Sequence, residues 1–165
     1  MEKELRRQQN LLVEAAVGVI LFAIWSVAKV NLYLGHSSLT TDDVYRVAEQ
    51  IGINEKYFLA FMIVVVASFL IWQLSVRMYI ALSAIAEGKG KRKKSCTYLV
   101  IAAVLLITDL QSIWQAFGVD VIRAGEEISV NLITGFFMEA ASAYVLLELL
   151  ISGIRVKKLR KCVEG

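Results

Sequence analysis

The sequence predicts an all-α membrane protein in which four transmembrane helices form two helical hairpins. Hydrophobic residues make up 58% of the chain, against roughly 45–50% in soluble domains. The charged residues, 20% of the total, lie in short segments between long apolar runs. The chain contains no proline, so each apolar run can form an unbroken helix whose backbone N–H groups find partners within the helix.

Four apolar runs are each long enough to cross a hydrocarbon core of about 30 Å, which takes about 20 helical residues. They cover residues 11–34, 57–86, 97–117 and 131–154. The first run is too long for the apolar region of a signal peptide, which has about 7–15 residues. We therefore expect a single four-helix transmembrane domain over residues 1–165, with tilt or protrusion of the long second and fourth helices.

The distribution of basic residues predicts the orientation. Lys and Arg are concentrated in both tails and in the loop between the second and third runs, whereas the other two loops carry mostly acids. Short cytoplasmic loops are enriched in Lys and Arg. We therefore expect a multi-pass protein of the plasma (inner) membrane with its N- and C-termini in the cytoplasm.

The two outer loops contain similar segments. Residues 43–54 read DVYRVAEQIGIN and residues 120–131 read DVIRAGEEISVN, with identity at six of the twelve positions. The pattern predicts a short amphipathic helix in each loop, over residues 42–51 and 120–128, with Gly52 ending the first helix. It also suggests an internal duplication that would make the two hairpins parallel repeats. The alternative is convergence of two short helices, because the spans themselves match poorly.

Two acids inside the apolar runs are the first candidates for chemistry, because ionisable residues inside a membrane are costly. Asp109 and Glu139 lie at nearly the same predicted depth near the midplane, with Ser112 and Ser142 close to them in sequence. If the two acids face each other, they can carry a proton or bind a cation. The structural alternative is a protonated acid that hydrogen-bonds across a helix interface.

Two further groups of charged residues lie toward the predicted cytoplasmic side. Glu14, Arg77 and Glu148 fall at similar depths on three helices, which predicts a buried ion-pair cluster that fixes helix register; a transport role is the alternative. The basic run Lys91, Arg92, Lys93 and Lys94 is expected to contact anionic lipid head groups, although the positive-inside rule alone would account for it.

Small residues can let the helices approach one another closely. Gly18, Gly135 and Gly153 lie within the predicted spans, and small residues are enriched where transmembrane helices pack. They indicate a packed bundle and do not indicate its function.

Motifs of other functional classes are missing from the sequence. One histidine and two cysteines do not make a histidine-based metal site or a redox pair, and the sequence contains no nucleophile elbow or phosphate loop. We expect no enzyme activity, catalytic residue, metal, cofactor or nucleic-acid partner.

The expected function is that of a small homo-oligomeric transporter or channel in the lipid bilayer, with the intramembrane acids handling protons or cations. The alternative is a non-catalytic accessory or regulatory subunit that binds a partner membrane protein or lipid.

Cysteine labelling tests the predicted topology. Ser38→Cys and Glu126→Cys are expected to react with a membrane-impermeant thiol reagent in intact cells, because both positions lie in the acidic outer loops. Lys91→Cys and Gly165→Cys should remain unlabelled until the cells are opened. Labelling of Lys91→Cys from outside would contradict the orientation.

Overall fold

The computed structural model of the chain contains four long helices. The residues that the structure describes are 2–36, 49–52, 54–90, 96–115 and 130–164. The helices are α1 (Glu2–His36), α2 (Glu55–Gly88), α3 (Thr97–Gln115) and α4 (Val130–Glu164). The described residues include no strand. Each helix is long and apolar enough to cross a membrane, which confirms the all-helical class and the number of helices that could span a membrane.

The predicted outer-loop helices lie mostly outside the described residues. Residues 49–51 are helical, and Gly52 ends this turn with φ of 71°, a conformation that glycine adopts without steric cost. Residues 42–48 and 120–128 lie outside the described part of the chain. The two outer helices and the duplication therefore stay predictions.

Helices α1 and α4 are longer than the apolar runs that predicted them. Helix α1 begins at residue 2 rather than residue 11, because Arg6 donates a 3.0 Å hydrogen bond to Glu2 one turn earlier and acids are favourable at a helix N-terminus. Helix α4 continues past residue 154 to Glu164, because Lys and Arg are good helix formers and are favourable near a helix C-terminus. Both helices thus extend well beyond the predicted spans.

The start and the end of α2 have local causes. Asn54 caps the start, since its side-chain Oδ1 accepts a 3.1 Å hydrogen bond from the Lys56 amide. Beyond the other end, Gly90 has φ of 76° and donates its amide to the Glu87 carbonyl at 3.0 Å. These contacts satisfy backbone groups that a helix end would otherwise leave without partners.

The chain divides into two compact units. The large unit comprises Met1–Ile20 and Met78–Gly165, and the small unit comprises Leu21–Arg77. Helices α1 and α2 each contribute residues to both units. The prediction of one domain over the whole chain stays a prediction.

In the large unit, α3 and α4 pack against each other as antiparallel neighbours. Gly153 lies against Leu99 near the start of α3, whereas Ser142 lies against Asp109. The contacts advance ten residues along α3 (99 to 109) while they go back eleven along α4 (153 to 142). Because every helical residue rises by the same distance along its axis, nearly equal steps in opposite chain directions indicate that the two helices are antiparallel.

The core of the large unit consists mainly of alanine and leucine. Contacts between helices gather the start of α1, the end of α2, the start of α3 and the end of α4 at one end, which is termed the basic end below. The buried apolar side chains of this unit are Leu12, Ala15, Ala16, Val19, Ile80, Ala81, Ala84, Tyr98, Leu99, Ala102, Ala143, Leu146, Leu149 and Val156.

Glycines permit the closest helix contacts. A Cβ atom on Gly18 would lie 2.8 Å from Val145 Cγ1, and one on Gly153 would lie 2.7 Å from Leu99 Cδ2 and 3.0 Å from the Tyr98 hydroxyl. The prediction of close approach is confirmed at these two glycines. At Gly135 a Cβ atom would meet no described atom within 4 Å, so close approach at this glycine stays a prediction.

In the small unit, α2 leaves most of its apolar side chains exposed. Its most apolar stretch contains no residue buried against the rest of the described chain, and Tyr57, Phe61, Phe69 and Trp72 are all more than half exposed. A helix that is apolar on every side suits surroundings of lipid or of other transmembrane helices. Among the described residues of this unit, Ala23 and Arg77 are the buried ones.

Gly153→Ala is expected to lower the thermal stability of the protein in detergent. The added methyl group must displace Leu99 and the rigid Tyr98 ring, and overpacking of this kind costs about 1–3 kcal/mol. Gly135→Ala in the same helix is the matched control and should be neutral or slightly stabilising, because it adds helix propensity in open space. Equal melting temperatures for the two variants would contradict the close α3–α4 approach.

Candidate functional site

The structure brings two of the predicted site residues together. Asp109 lies in the interface between α3 and α4 and is 8% exposed. The buried Ser142 hydroxyl donates a hydrogen bond to Asp109 Oδ2 at 3.2 Å. A carboxyl group and a hydroxyl group from two different helices therefore form one contact inside the bundle.

The length of α3 gives the depth of this contact. The described part of α3 has 19 residues, which at about 1.5 Å per residue extend over about 28 Å, close to the thickness of the hydrocarbon core. Asp109 lies three residues past Leu106, the middle residue of α3, and hence about 4.5 Å from the centre. The Asp109–Ser142 contact is thus within the hydrocarbon core if α3 spans it.

Glu139 lies about one turn away from this contact along α4. It precedes Ser142 by three residues, so both are on the same side of the helix and differ in height by about 4.5 Å. Glu139 is half-buried. Because α3 runs antiparallel to α4, Glu139 is one turn farther from the basic end than Asp109, and the two acids are staggered in depth rather than level.

Ser112 lies outside the α3–α4 interface. It is exposed, and its hydroxyl donates to the Thr108 carbonyl of the same helix at 3.0 Å. The Thr108 hydroxyl likewise donates to the Leu105 carbonyl at 2.8 Å. Hydroxyl groups that bond to their own helix need no partner elsewhere, so the structure does not associate Ser112 with Asp109.

The structure does not test the predicted ion-pair cluster or the predicted lipid contact of the basic run. Glu14 is exposed and Glu148 is half-buried, both in the large unit, while the buried Arg77 belongs to the small unit. The pairing of Arg77 with either acid stays a prediction. The basic run of residues 91–94 lies outside the described residues, so its predicted lipid contact also stays a prediction.

A second polar group, which the sequence reasoning missed, occupies the basic end. It is termed the Glu87 cluster and consists of Glu87, Cys96, Tyr98, Lys157 and Arg160. Glu87, near the end of α2, is 3% exposed. Lys157 Nζ lies 3.8 Å from Glu87 Oε2, and Arg160 Nη2 donates to the Glu87 carbonyl at 3.2 Å. The cluster ties the last turns of α4 to the end of α2.

Lys157 also connects α4 to the start of α3. Its Nζ donates to Cys96 Sγ at 3.2 Å and lies 5.7 Å from the centre of the Tyr98 ring, within the range of a cation–π interaction. The Tyr98 hydroxyl is buried near Glu87 and meets hydrogen-bond geometry with no described residue. One ammonium group therefore holds the ends of three helices together.

A weak sequence signal for this cluster was available. Glu87 is the acid that immediately precedes the cationic run between α2 and α3, and orientation rules count only the Lys and Arg of such a loop. The partners Lys157 and Arg160 are 70 and 73 residues farther along the chain (157 − 87 and 160 − 87). Their proximity to Glu87 depends on the folded bundle.

Neither polar group resembles a metal centre. The described residues contain no group of three or more His, Cys, Asp or Glu side chains that could hold a metal ion. What the Asp109–Ser142 contact offers chemically is a carboxyl group that can gain or lose a proton next to a hydroxyl group that can donate or accept a hydrogen bond.

Ser142→Ala is expected to lower stability by about 0.5–2 kcal/mol, because the variant removes a hydrogen bond between helices in the membrane. Ser112→Ala is the matched control: it removes a hydroxyl from α3 that bonds only within the helix, and it should change stability little. Thermal unfolding in detergent measures both. A larger loss for Ser112→Ala than for Ser142→Ala would contradict the assignment.

In the Glu87 cluster, removal of Lys157 is expected to be costlier than removal of Glu87. Lys157→Met leaves a buried carboxylate without its cation, at a cost of up to about 3–5 kcal/mol. In Glu87→Gln the Lys157 side chain, 21% exposed, can still reach water. Unfolding of both single variants and of the double variant should show this order and a partial recovery in the double variant. The reverse order would mean that the pair does not interact as described.

Comparison of the chain with models of protein families, with curated proteins and with solved structures found no match. Its function is therefore proposed from the geometry of the chain itself.

Proposed function

We propose that the protein is a small transporter or channel that moves protons or cations across the membrane, with Asp109 as its ion-handling group. The observation that carries the proposal is the buried contact between Asp109 and Ser142 in the α3–α4 interface. At the centre of a membrane helix a charged Asp costs about 2.5–3.5 kcal/mol. Carboxyl groups at such depths are associated with ion pathways and proton relays.

The chemistry of Ser142, the partner of Asp109, supports the proposed role of Asp109 in ion handling. A serine hydroxyl can donate a hydrogen bond to a carboxylate and can accept one from a protonated carboxyl group. The contact between Asp109 and Ser142 can therefore persist in both protonation states. A group that exchanges protons needs a partner that can bond to both of its protonation states.

Glu139 extends the site toward the end of the bundle opposite the basic end. It lies on the same side of α4 as Ser142 and about one turn farther along the helix. Glu139 thus lies next to Ser142 on α4, and Ser142 contacts Asp109 on α3. We propose that Glu139 exchanges protons or cations between Asp109 and the outer side.

The assembly that we propose is a homo-oligomer. A bundle of four helices leaves little room for a pore within one chain, and the exposed apolar side chains of α2 are available for contact with lipid or with further transmembrane helices. We place the protein in the plasma (inner) membrane with both termini in the cytoplasm, which rests on the positive-inside rule. The duplication of the two hairpins is retained as part of the proposal on the strength of the shared loop pattern.

One observation favours the accessory-subunit alternative. The most apolar stretch of α2 contains no residue buried within the described chain, and Trp72 is 70% exposed. A partner membrane protein could cover this helix. In that case Asp109 and Ser142 would serve only to hold α3 and α4 together.

Asp109→Asn separates the two functions. Asparagine keeps the shape and the hydrogen-bonding capacity of a protonated Asp but cannot release a proton. The purified protein is reconstituted into liposomes that contain a pH-sensitive dye, and proton flux is driven by a potassium gradient with valinomycin. Parallel liposomes with an imposed sodium gradient test for a cation flux. For the native protein we expect flux in one of the two assays.

In the folded Asp109→Asn variant we expect the flux to fall to that of protein-free liposomes. Glu4→Gln is the matched control, because it also replaces a carboxyl group with an amide but at an exposed position near the start of α1, and it should retain flux. Native flux in a folded Asp109→Asn protein would contradict the role of Asp109. It would favour the accessory-subunit function instead.

A further inference from the structure

The contacts of α3 locate the edge of the hydrocarbon core on α4. The apolar stretch of α3 begins at Thr97, directly after the cationic loop of residues 89–94, so we take Thr97 as the core boundary at the basic end. Gly153 lies against Tyr98 and Leu99, and Lys157 contacts Cys96. The boundary therefore crosses α4 between residues 153 and 157.

The exposed side of α4 changes its chemistry at the same level. Ile151 and Ile154 are exposed and apolar, whereas Arg155, Lys158 and Lys161 are exposed cations. Spacings of three and four residues keep these positions on one side of the helix. The change from apolar to basic side chains agrees with the boundary that the α3 contacts give independently.

The depth of the three cations matches the head-group layer. A bilayer of about 40–45 Å around a core of about 30 Å leaves a head-group layer of roughly 5–7 Å on each side. Arg155 lies at the boundary, Lys158 about 4.5 Å beyond it and Lys161 about 9 Å beyond it. Arg155 and Lys158 are thus within the layer of the lipid phosphates, and Lys161 is just outside it.

The Glu87 cluster holds this part of α4 in place. Lys157 contacts Glu87 at the end of α2 and Cys96 just before α3, and Arg160 bonds to the Glu87 carbonyl. These contacts hold the last turns of α4 against the other helices of the large unit. The exposed cations are consequently presented by an ordered helix rather than by a free tail. Binding to a surface that is already ordered costs less conformational entropy.

We propose that Arg155, Lys158 and Lys161, termed the α4 basic stripe, bind the phosphate groups of anionic phospholipids at the basic end. A guanidinium group can bind a phosphate through two parallel hydrogen bonds, and lysine provides a compact positive charge. This site is separate from the Asp109–Ser142 contact and does not depend on the transport proposal.

A lipid titration of the full-length protein tests the α4 basic stripe. Phosphatidylglycerol or phosphatidylcholine is added to the protein in a neutral detergent, and the rise in melting temperature gives an apparent Kd for each lipid. We expect the native protein to prefer phosphatidylglycerol. Each cation removed should weaken binding about fivefold, so Arg155→Gln/Lys158→Gln/Lys161→Gln should bind about a hundredfold more weakly.

The matched control is Lys3→Gln/Arg6→Gln/Arg7→Gln, which removes the same charge from exposed positions of α1 at the same end. This control should retain most of the affinity, because Glu2 and Glu4 already counter those cations and Arg6 is paired with Glu2. Equal weakening by the two triple variants would overturn the proposal, since it would show a general effect of net charge.

Two further outcomes would also overturn it. Inorganic phosphate alone could stabilise the native protein as strongly as the lipid, which would indicate a site for free phosphate. Alternatively, Lys91→Gln/Lys93→Gln/Lys94→Gln could abolish the preference while the α4 variant retains it. The single variants Arg155→Gln and Lys158→Gln supply the measurement if the triple α4 variant does not fold; native affinity in both would count against the α4 basic stripe.

Discussion

Hydrocarbon offers no hydrogen-bond partner, and this constraint governs the polar groups along the spans. The hydroxyl groups of Ser75, Thr108 and Ser112 satisfy it within their own helices, by donating to carbonyls three or four residues earlier. Ser142 satisfies it across the interface, on Asp109. A polar side chain that bonds within its helix leaves neighbouring helices free to move, whereas one that bonds across the interface fixes their relative height.

Inside a membrane, helix association is stabilised by close packing rather than by the hydrophobic effect. Lipid tails are as apolar as leucine side chains, so helices gain stability there from van der Waals contact and hydrogen bonds. The large unit meets this requirement with alanines and with Gly18, Gly88 and Gly153 at its tightest contacts. Helix α2 has bulky apolar side chains on all sides over most of its part in the small unit, which suits lipid contact better than close approach.

The features that could be predicted from the sequence are those that depend on one helix at a time. Segregated hydropathy predicted four helices of transmembrane length. Depth counting predicted that Asp109 and Glu139 are level, whereas the structure has Ser142 level with Asp109 and Glu139 about one turn away. The side of the helix that faces a neighbour could not be derived in this way, so Ser112 was grouped with Asp109 although it points out of the interface. The first turns of α1 and the last turns of α4 are polar, so the hydropathy pattern did not predict that they are helical. The Glu87 cluster could not be predicted either, because it forms only where the end of α2, the start of α3 and the end of α4 come together in the folded bundle.

The two buried acids of the large unit illustrate how depth and partner together determine what a carboxyl group can do. Glu87 lies at the basic end, where its carboxyl oxygen is 3.8 Å from the Lys157 ammonium group, a contact that suits the holding together of helix ends. Asp109 lies within the core and is bonded to a hydroxyl group, which can accompany either protonation state. A boundary position lowers the cost of keeping a charge, because water and head groups are close. Under the proposed function, the same chemical group holds helix ends together at the boundary and exchanges protons in the core.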